Sequence, residues 1–556
     1  MSMPGPVSGP IPAPADFPVA WEEPDHAELL WFWDQMHHPQ PTTPITFAID
    51  GPAFTAGIGK AAEALFMPIK TFRAGCFNNY WYFANEPCAL SAAETAEREQ
   101  RMEAEMVQRA PRVLQDWENV YLPEVMTLND WLRHYPYQDA SPNDLAGFLD
   151  EACAIRDRQW ELHFLAVMPV FGAAGQFAEF YEEHLGRPEN NEHYQMLQGF
   201  ANKSVEAGQA LYDLAQEARA VPSVAQTIRE TPAGRLLAEL ARSTAGREYL
   251  DKLEVYLEGY GWRSEAFEFM DPSWREDPRP ALHALKGYIR DDATDPRLEQ
   301  AKAVRERQRL VQETRERLPA DQAVRNQFEM LLFAAQQYLP VQENHNFYID
   351  QMNTVLLRLP ILELGRRLAA SGALADVTDA FFLTPGEMQQ ATVSANGRWR
   401  ALTAQRRADR ETWRKVLPPV FLGTMPEGEA PRQEIQDRFF GLRMEPSRDP
   451  RVVNGFGASK GVVTAPAKVV CTLNESDKLQ RGDVLVCEMT MPAWTPLFSL
   501  VSAVVADSGG VLSHCAIVAR EYGIPCVTGT RLGTKRIRDG QTVTVDGAKG
   551  IVRIEG

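Results

Sequence analysis

Near its C-terminus the chain carries a histidine in a setting suited to phosphoryl chemistry. The segment 507–530 reads DSGGVLSHCAIVAREYGIPCVTGT, in which Gly509 and Gly510 precede Ser513 and His514. The two glycines let the backbone turn tightly, and Ser513 can cap a helix whose first turn contains His514. Free N–H groups and the positive end of the helix dipole favour anions at this place. A neutral imidazole there could attack a phosphoryl group whose oxygens those N–H groups receive.

The elements that must position this histidine are a strand, a helix and a second strand. AVVA at 503–506 is typical of a buried strand, and Gly523 suits the left-handed position just past the end of a helix. CVTGT at 526–530 then returns as a strand. From the spacing alone a second interpretation stays open, in which His514 only helps to cap the helix.

Composition places the chain among globular proteins and excludes some partners. Its 556 residues are 44% hydrophobic and 24% charged, which predicts about two to four folded domains. The formal net charge of −18 argues against nucleic acid or an anionic membrane surface as the main partner, because both require clustered cations. We therefore expect no nucleic-acid and no membrane partner.

The cysteines and the N-terminus indicate a cytoplasmic protein. The seven cysteines have no CxxC spacing, which predicts reduced thiols that form neither disulfides nor a zinc site. Residues 1–20 are Pro-rich and lack the basic and apolar regions of a secretion signal, so we predict a mobile tail there. No uninterrupted apolar run is long enough for a membrane span.

Most of the chain has the periodicity of helices. Residues 21–415 are predicted to form a large, mainly α-helical domain, and the runs 236–261 and 327–372 repeat apolar residues at helical spacing. The charged stretch 298–318 is typical of a solvated helix with opposite charges spaced for pairing.

The C-terminal part has a different pattern. Residues 416–455 contain several prolines and glycines and are predicted to be a linker or hinge. Residues 456–556 contain short β-branched runs separated by turns, with one helical stretch among them. The predicted fold is therefore multidomain, with a large mainly α-helical domain followed by a small β/α domain.

The histidine segment resembles the phosphohistidine signature of the mobile, swivelling domain in the phosphoenolpyruvate-utilising enzyme family. The matching residues are Gly509, Gly510, Ser513, His514, the run 516–521 and the run 523–525. The likeness continues through 482–498 and 539–554 and so covers roughly 450–556. Cys515 stands where the family usually has a smaller residue.

This resemblance implies a role for each matching residue. His514 would be the residue that carries the phosphoryl group as a covalent intermediate. Ser513, Gly509, Gly510 and Arg520 would bind or support the phosphate. No metal ligands are implied within this chain.

The resemblance also implies a partner. Long members of the family carry an ATP-grasp domain, but the sequence shows no Gly-rich loop that opens a helix and no Walker-type motif. We therefore expect ATP and Mg²⁺ to be bound by a separate ATP-grasp subunit. The chain is most similar to the phosphohistidine and acceptor subunit of phenylphosphate synthase-type aryl dikinases, which are related to rifampin phosphotransferase. It would phosphorylate the hydroxyl of a small phenolic compound while ATP becomes AMP and phosphate.

The helical domain would then bind the acceptor, most visibly in QENHNFYIDQMN at 342–353. Glu343 matches the rifampin-type pattern, whereas Gln342 and Asn346 depart from it. His345 could be the general base that a phenolic hydroxyl needs, with Glu343 orienting it. A structural role for His345 stays open.

Four further residues are candidates for contacting the acceptor. Arg73 and Arg263 could stabilise a transferring phosphoryl group, while Tyr80 and Trp262 could line a flat apolar pocket. Arginines of this kind more often hold helix packing together, and an aromatic-rich helical core predicts the same composition. His37–His38 has no third ligand at metal spacing, so no metal site is predicted.

Two other functions remain open. The acceptor could be an antibiotic hydroxyl, as in the rifamycin-modifying enzymes. Alternatively, the protein could be a phosphocarrier or regulator that is phosphorylated on His514. The large helical domain argues against a simple carrier, which would need only about the last hundred residues.

Overall fold

The computed structural model describes residues 9–188, 191–290, 293–426, 440–441 and 447–555. The chain forms two compact units, each built from segments that are distant in sequence. The first unit consists of Met1–Pro169, Ala266–Asp271 and Tyr348–Pro431. The second unit consists of Val170–Glu265, Pro272–Phe347 and Arg432–Gly556. The predicted domains at 21–415, 416–455 and 456–556 are contiguous in sequence, whereas each of these units combines separated segments.

Helices make up most of the first unit. They are Pro44–Ala64, Ala92–Arg109, Val113–Asp116, Leu122–His134, the first part of Pro142–Leu185, Met352–Ala370, Pro385–Val393 and Arg398–Trp413. Local chemistry sets several of their starts. Ser91 and Glu94 form a reciprocal capping box, and Thr384 and Glu387 form another.

An antiparallel sheet of five strands completes the first unit. The strands are β1 (Gly9–Pro10), β2 (Leu30–Trp33), β3 (Ile69–Phe77), β4 (Tyr80–Pro87) and β5 (Phe421–Met425). Their spatial order is β1-β5-β2-β4-β3. In the register, Trp31 lies opposite Ala84 on one side and Leu422 on the other. The sequence predicted only helices here, because the aromatic-rich strands have the composition of a helical core.

Two predicted flexible regions contribute to this sheet. β1 pairs with β5, and Phe17 is fully buried in the aromatic cluster of the sheet. The expectation of a mobile tail is therefore wrong for residues 9–20, and residues 1–8 lie outside the described part. Likewise β5 lies within the predicted linker 416–455 but pairs with β2. Proline-rich composition favours turns, yet the burial of large apolar side chains outweighs it at these places.

A buried ion pair ties helices of the first unit together. Arg156, which is fully buried, donates from Nε to Asp50 Oδ1 at 2.6 Å and from Nη2 to Asp50 Oδ2 at 3.1 Å. Its Nη1 also donates to the Ile349 carbonyl and to Asn353 Oδ1, both at 3.2 Å. Every partner that a buried guanidinium needs is thus supplied by protein atoms.

The second unit is also rich in helices. They are the last part of Pro142–Leu185, Glu192–Gln195, Lys203–Arg219, Pro222–Glu230, Ala233–Leu240, Thr244–Tyr260, Arg279–Tyr288, Pro296–Arg317, Gln322–Ala335, Tyr338–His345, His514–Glu521 and Gly533–Arg536. The predicted charged helix at 298–318 is confirmed as Pro296–Arg317. The predicted run 236–261 is two helices, because the Ser243 hydroxyl caps a new one.

An eight-stranded mixed sheet forms the C-terminal part of the second unit. Its strands are β6 (Val452–Asn454), β7 (Phe456–Ser459), β8 (Val462–Val469), β9 (Val484–Cys487), β10 (Ala503–Ala506), β11 (Cys526–Thr528), β12 (Thr542–Asp546) and β13 (Ile551–Ile554). The order is β6-β13-β12-β8-β9-β10-β11-β7, with β8 to β11 parallel. The predicted β/α region is present, but it begins before residue 456 because β6 pairs with β13.

One helix has the length and composition of a membrane span. Among the described residues, only Pro142–Leu185 passes that test. However, 67% of its most apolar stretch is buried within the protein, as in the core helix of a soluble protein. Its apolar character is therefore explained by packing.

Candidate active site

The histidine segment forms the strand, loop and capped helix that its sequence predicts. β10 ends at Ala506, and the helix His514–Glu521 begins after seven intervening residues with His514 in its first position. Ser513 has extended backbone angles (φ −68°, ψ 160°), and its Oγ accepts from the Ala516 N–H at 3.5 Å. Gly509 has φ +91°, and a Cβ there would lie 2.7 Å from Ser513 Oγ. A glycine is therefore required where the loop approaches its own cap.

Gly441 lies against the same loop. Its φ is +67°, and a Cβ on it would lie 2.6 Å from the carbonyl oxygen of Gly509. The chain that leads into the eight-stranded sheet therefore packs on the backbone just before His514.

Glu343 is the direct partner of His514. The Nδ1 of His514 lies 3.0 Å from Glu343 Oε1 and 3.1 Å from Oε2, and both residues belong to the second unit. The side chain of His514 is 9% exposed and that of Glu343 is 2% exposed. Ser204 donates its hydroxyl to Glu343 Oε2 at 2.6 Å. The carboxylate thus lies between a hydroxyl and an imidazole, shielded from water.

This contact fixes which imidazole nitrogen carries the proton. Burial tends to raise the pKa of Glu343, but the adjacent His514 and the Ser204 hydroxyl outweigh it, so the pKa is lowered and the carboxyl is ionised at neutral pH. A carboxylate only accepts hydrogen bonds, so Nδ1 of His514 must be the donor. The lone pair of the neutral ring then lies on Nε2.

Nε2 of His514 faces a loop from a neighbouring strand. Thr495 Oγ1 lies 3.3 Å from it. Thr495 belongs to the loop after β9, and His514 follows β10; because these strands are parallel, both loops leave the same edge of the sheet. In the loop after β9, Thr490 Oγ1 and Trp494 Nε1 are buried without a hydrogen-bond partner among the described residues. Both residues are close to Thr495 in sequence, and donors of this kind suit phosphoryl oxygens.

Arg520 supports the loop from behind. Its Nη1 donates to the carbonyls of Ala458 at 3.0 Å and Val511 at 2.8 Å. Burial lowers the pKa of this guanidinium. Of the two roles predicted for Arg520, binding phosphate and supporting its site, the contacts favour support.

Asp507, at the start of the segment, also fixes the loop. Its carboxylate accepts from Thr530 Oγ1 at 2.7 Å and from the Gly533 N–H at 2.5 Å. Burial raises the pKa of Asp507, and these hydrogen bonds oppose that effect. Sequence reasoning assigned no role to Asp507, Thr495 or Ser204.

Arg263 is fully buried, and the negative charge of Glu343 acts on its guanidinium. It donates from Nη1 to the Tyr260 carbonyl at 2.7 Å and from Nη2 to the Lys203 carbonyl at 3.0 Å. Its guanidinium stacks 4.5 Å from the ring centre of Phe347. Burial lowers the pKa of Arg263 to about 10. Its hydrogen bonds join the end of the helix Thr244–Tyr260 to the start of the helix that carries Ser204.

His345 lies two residues after Glu343 on the helix Tyr338–His345. It is 1% exposed, and its Nδ1 donates to the Val341 carbonyl at 2.8 Å. Gln342 and Asn346, one turn apart, each have a buried side-chain carbonyl oxygen without a hydrogen-bond partner among the described residues. The role of His345 as a base stays a prediction.

Three residues predicted to contact the acceptor make hydrogen bonds or ion pairs within the protein. Arg73 pairs with Glu86 across β3 and β4, at 2.6 Å. The Tyr80 hydroxyl donates to the Val416 carbonyl at 2.9 Å, and its ring is buried in the aromatic cluster of the first sheet. Trp262 donates from Nε1 to the Glu258 carbonyl at 2.8 Å. Their polar atoms are used in packing, so the structure gives no support to an acceptor-binding role.

Polar contacts join the β/α part of the second unit to its helices. Tyr338 donates its hydroxyl to the Leu512 carbonyl at 2.7 Å, two residues before His514. The Gly199 N–H donates to Glu521 Oε1 at 2.8 Å, at the other end of the histidine helix. Lys460 pairs with Glu306 at 2.9 Å. These contacts hold the histidine helix where His514 meets Glu343.

The cysteines are thiols, as predicted. All seven are free. Cys515 and Cys526 lie 3.8 Å apart between their sulfur atoms within the core behind the histidine helix. Burial raises the pKa of Cys526 well above its usual range, which keeps this thiol neutral and unreactive.

Comparison with known proteins identifies two parts of the chain. Residues 479–550 match the mobile domain of PEP-utilising enzymes, and residues 163–343 match the fourth domain of rifampicin phosphotransferase. These matches include His514 and Glu343, respectively. The chain therefore carries the histidine-bearing mobile domain of the phosphoenolpyruvate-utilising enzymes, and the predicted resemblance to that family is confirmed.

Individual relatives extend this result. Chondramide synthase cmdD of Chondromyces crocatus is 34% identical over 98% of this chain and 14% of its own length. The uncharacterized phosphotransferase YvkC of Bacillus subtilis is 32% identical over 71% of this chain and 47% of its own length. A rifampicin phosphotransferase of Streptomyces sviceus is 30% identical over 71% of this chain and 44% of its own length. The chain thus spans less than half of each of these relatives.

Proposed function

We propose that this chain carries a phosphoryl group on His514 and transfers it to a hydroxyl group of a small acceptor. The observation that carries the proposal is the 3.0 Å contact between His514 Nδ1 and the ionised carboxylate of Glu343. It leaves Nε2 as the nucleophile and places a negative charge beside the ring when the ring becomes positive on phosphorylation.

The transfer has two steps at His514, with a hydrolysis between them. In the first, Nε2 attacks the β-phosphorus of ATP; an N–P bond forms and the bond from that phosphorus to the oxygen of AMP breaks. Water then cleaves the bond between the β- and γ-phosphates, which releases phosphate and leaves one phosphoryl group on His514. In the second, the acceptor oxygen attacks phosphorus and the N–P bond breaks, with its electrons returning to Nε2. The hydroxyl proton passes to a base, for which His345 is our candidate. Thr495, Thr490 and Trp494 would donate to the phosphoryl oxygens.

We propose ATP with Mg²⁺, bound by an ATP-grasp unit outside this chain, as the donor. The family resemblance supports this choice. The net charge of −18 also supports it, because a strongly acidic chain is a poor host for a nucleotide polyphosphate unless cations are clustered.

Among acceptors, we favour a hydroxyl of a rifamycin-type antibiotic over a phenol. The match of residues 163–343 and the rifampicin phosphotransferase relatives support the antibiotic class, whereas no comparison supports phenol specificity. The unpaired carbonyl oxygens of Gln342 and Asn346 would accept hydrogen bonds from acceptor hydroxyls. In the rifampin-type pattern charged side chains stand at these two positions. Because amide oxygens accept hydrogen bonds, an acceptor that presents hydroxyl donors to them fits this chain.

The test uses the full chain with an ATP-grasp protein, Mg²⁺ and ATP labelled at the β-phosphate. We expect acid-labile label on His514, and loss of label when rifampicin is added but not when phenol is added. His514→Ala should abolish labelling, while His134→Ala, at an exposed histidine, should not. Full activity of His514→Ala would refute the proposal. Discharge by phenol alone would restore the phenolic acceptor, and label that no small molecule discharges would favour a phosphocarrier.

A further inference from the structure

A polar cavity lies within the second unit, away from His514. Its volume is about 540 Å³, and it lies between the helix Pro296–Arg317 and the far end of the histidine helix. One wall comes from Gln198 and one face of the helix Pro296–Arg317. The opposite wall comes from the β/α part, with Ser459, Lys460 and the C-terminal residues of the histidine helix. A cavity of this size accommodates a small metabolite.

The walls of this cavity are positive in an acidic protein. Five cationic and three anionic side chains line it, whereas the whole chain has a net charge of −18. Lys302 pairs with Glu299 at 2.6 Å, and Lys460 pairs with Glu306 at 2.9 Å. Arg309 pairs with Glu306 at 2.8 Å and with Glu313 at 2.5 Å. Arg305 has no ion-pair partner among the residues that the structure describes. An anion would find an uncompensated guanidinium there.

Three buried polar atoms of lining residues have no partner. Within the described chain, Gln198 Nε2, Arg520 Nε and Glu521 Oε2 make no hydrogen bond. The three residues are 6%, 9% and 6% exposed, respectively. An unsatisfied buried polar atom costs about 1–3 kcal/mol. Because these atoms are buried, a ligand reaches them only if the side chains turn towards the cavity. Two of the atoms are donors and one is an acceptor, so such a ligand must offer both kinds of group.

We propose that this cavity binds a small organic phosphate of the nucleoside monophosphate class. Arg305, with the neighbouring Lys302 and Arg309, would hold the phosphate, while Gln198, Arg520 and Glu521 would bind the acceptor and donor groups of the remaining part.

Such a ligand would also bridge two parts of the second unit. Because its walls come from both the helices and the β/α part, the cavity is complete only when these parts are in contact. A ligand that needs both walls therefore stabilises that contact by mass action. It would hold His514 against Glu343. This consequence, unlike the binding itself, rests on the mobility that the match to the mobile domain of PEP-utilising enzymes implies for the phosphohistidine part.

Calorimetric titration of the full chain tests the binding. AMP, adenosine and inorganic phosphate serve as probes. We expect AMP to bind, adenosine not to bind, and phosphate to bind at least about tenfold more weakly than AMP. Arg305→Ala should weaken AMP binding about tenfold or more. Arg315→Ala removes the same charge from the same helix but outside the cavity, where Arg315 pairs with Glu329, and should bind like the wild type.

Each contrary outcome is decisive. Absence of AMP binding, equal binding of AMP and phosphate, or equal losses in Arg305→Ala and Arg315→Ala would overturn the proposal. Gln198→Leu should separately weaken AMP while leaving phosphate binding unchanged. His514→Ala should retain AMP binding, so failure of the proposed phosphotransfer is distinguishable from failure of this site. Added AMP should slow amide exchange at Gly199, and an unchanged exchange rate would refute the bridging role.

Discussion

At the scale of single residues, the site depends on a carboxylate that is almost completely buried. An isolated ionised carboxylate at such a place would be strongly destabilising. Glu343 is stabilised because Ser204 and His514 both donate to it. The same contacts orient the imidazole, in the way that a buried aspartate orients the histidine of a hydrolase triad.

Glu343→Gln should therefore impair chemistry more than folding. Glutamine preserves the shape but removes the charge that stabilises the phosphorylated ring, so we expect phosphorylation of His514 to slow about 10²- to 10⁴-fold. Rapid-quench measurement of labelled protein checks this. Glu206→Gln, at the partly exposed pair with Lys203, is the control. A rate within twofold of the wild type for Glu343→Gln would remove Glu343 from the mechanism.

Thr495 should affect the transfer step more weakly. Thr495→Val removes the hydroxyl that contacts Nε2 of His514, and loss of one donor to the phosphoryl group predicts a decrease of about tenfold or more. The matched control is Thr464→Val in β8, where the Thr464 hydroxyl is hydrogen-bonded to Thr544 at an exposed position. Equal rates in both variants would show that the contact has no role in catalysis.

The sequence predicted part of this site. His514 and Ser513 are contiguous in one segment whose local geometry follows from capping rules. Glu343 was named, but its contact with His514 spans 171 residues, which no local pattern can indicate. The acceptor roles of Tyr80 and Trp262 stay predictions, because aromatic residues in a core and in a pocket give the same composition.

At the scale of elements, the histidine helix meets the helical part at both of its ends. The far end carries Glu521, whose pKa burial raises to about 7; the Gly199 N–H, Arg520 and Arg307 oppose this effect, and Glu343 adds to it. A buried carboxyl of this kind makes the contact sensitive to pH.

The direction of this pH dependence follows from the pKa of Glu521 with and without the contact. Released to water, Glu521 would titrate near about 4.3. The contact is therefore most stable at low pH and weakens as pH rises from there to about 7. We expect amide exchange at Gly199, corrected for its intrinsic rate, to show less protection at pH 8 than at pH 5. Glu521→Gln should remove this dependence, whereas Glu313→Gln should retain it. A pH-independent wild type would contradict the prediction.

Two glycines with similar positive φ angles allow the cost of backbone strain to be measured apart from the cost of a steric clash. Gly482 has φ +90° with nothing near its missing Cβ, whereas Gly509 has φ +91° and a Cβ would strike Ser513. Gly482→Ala should lower the free energy of unfolding by about 1 kcal/mol and leave phosphorylation intact. Gly509→Ala should lower it further and also slow phosphorylation, because the cap of the histidine helix shifts. Denaturant titration and labelling measure both effects; identical behaviour of the two variants would be inconsistent with the loop geometry.

Element prediction succeeded where partners are close in sequence. The helix at 298–318 and the strands after 456 were visible because periodicity and turn residues are local signals. The five-stranded sheet was missed because β5 pairs with β2 across a long separation in sequence, with Trp31 opposite Leu422. No residue pattern within one of these strands indicates which other strand it pairs with.

At the scale of the whole molecule, each compact unit is assembled from separated segments. In the first unit, Arg156 of the helix Pro142–Leu185 joins Asp50 of the helix Pro44–Ala64 and Asn353 of the helix Met352–Ala370. The Arg156 guanidinium thus connects the first and the last segments of that unit.

Arg156→Ala should strongly destabilise the first unit. It leaves Asp50 buried without its cation, for which we expect a loss of about 3–5 kcal/mol in the free energy of unfolding. Arg158→Ala, two residues away at a pair with Glu124 that is 39% and 38% exposed, should lose less than about 1 kcal/mol. Denaturant-induced unfolding measures both, and similar midpoints for the two variants would disprove the importance of the buried pair.

The position of Gly441 has a practical consequence for recombining such proteins. A transplanted histidine module cut at residue 456 would lack β6, which covers one edge of the eight-stranded sheet. It would also lack Gly441, which packs on the carbonyl of Gly509. A host chain with a larger residue at that position would push the loop away from the nucleophile. Exchanges between related chains should therefore join upstream of residue 440, so that the approach to the loop is inherited together with His514.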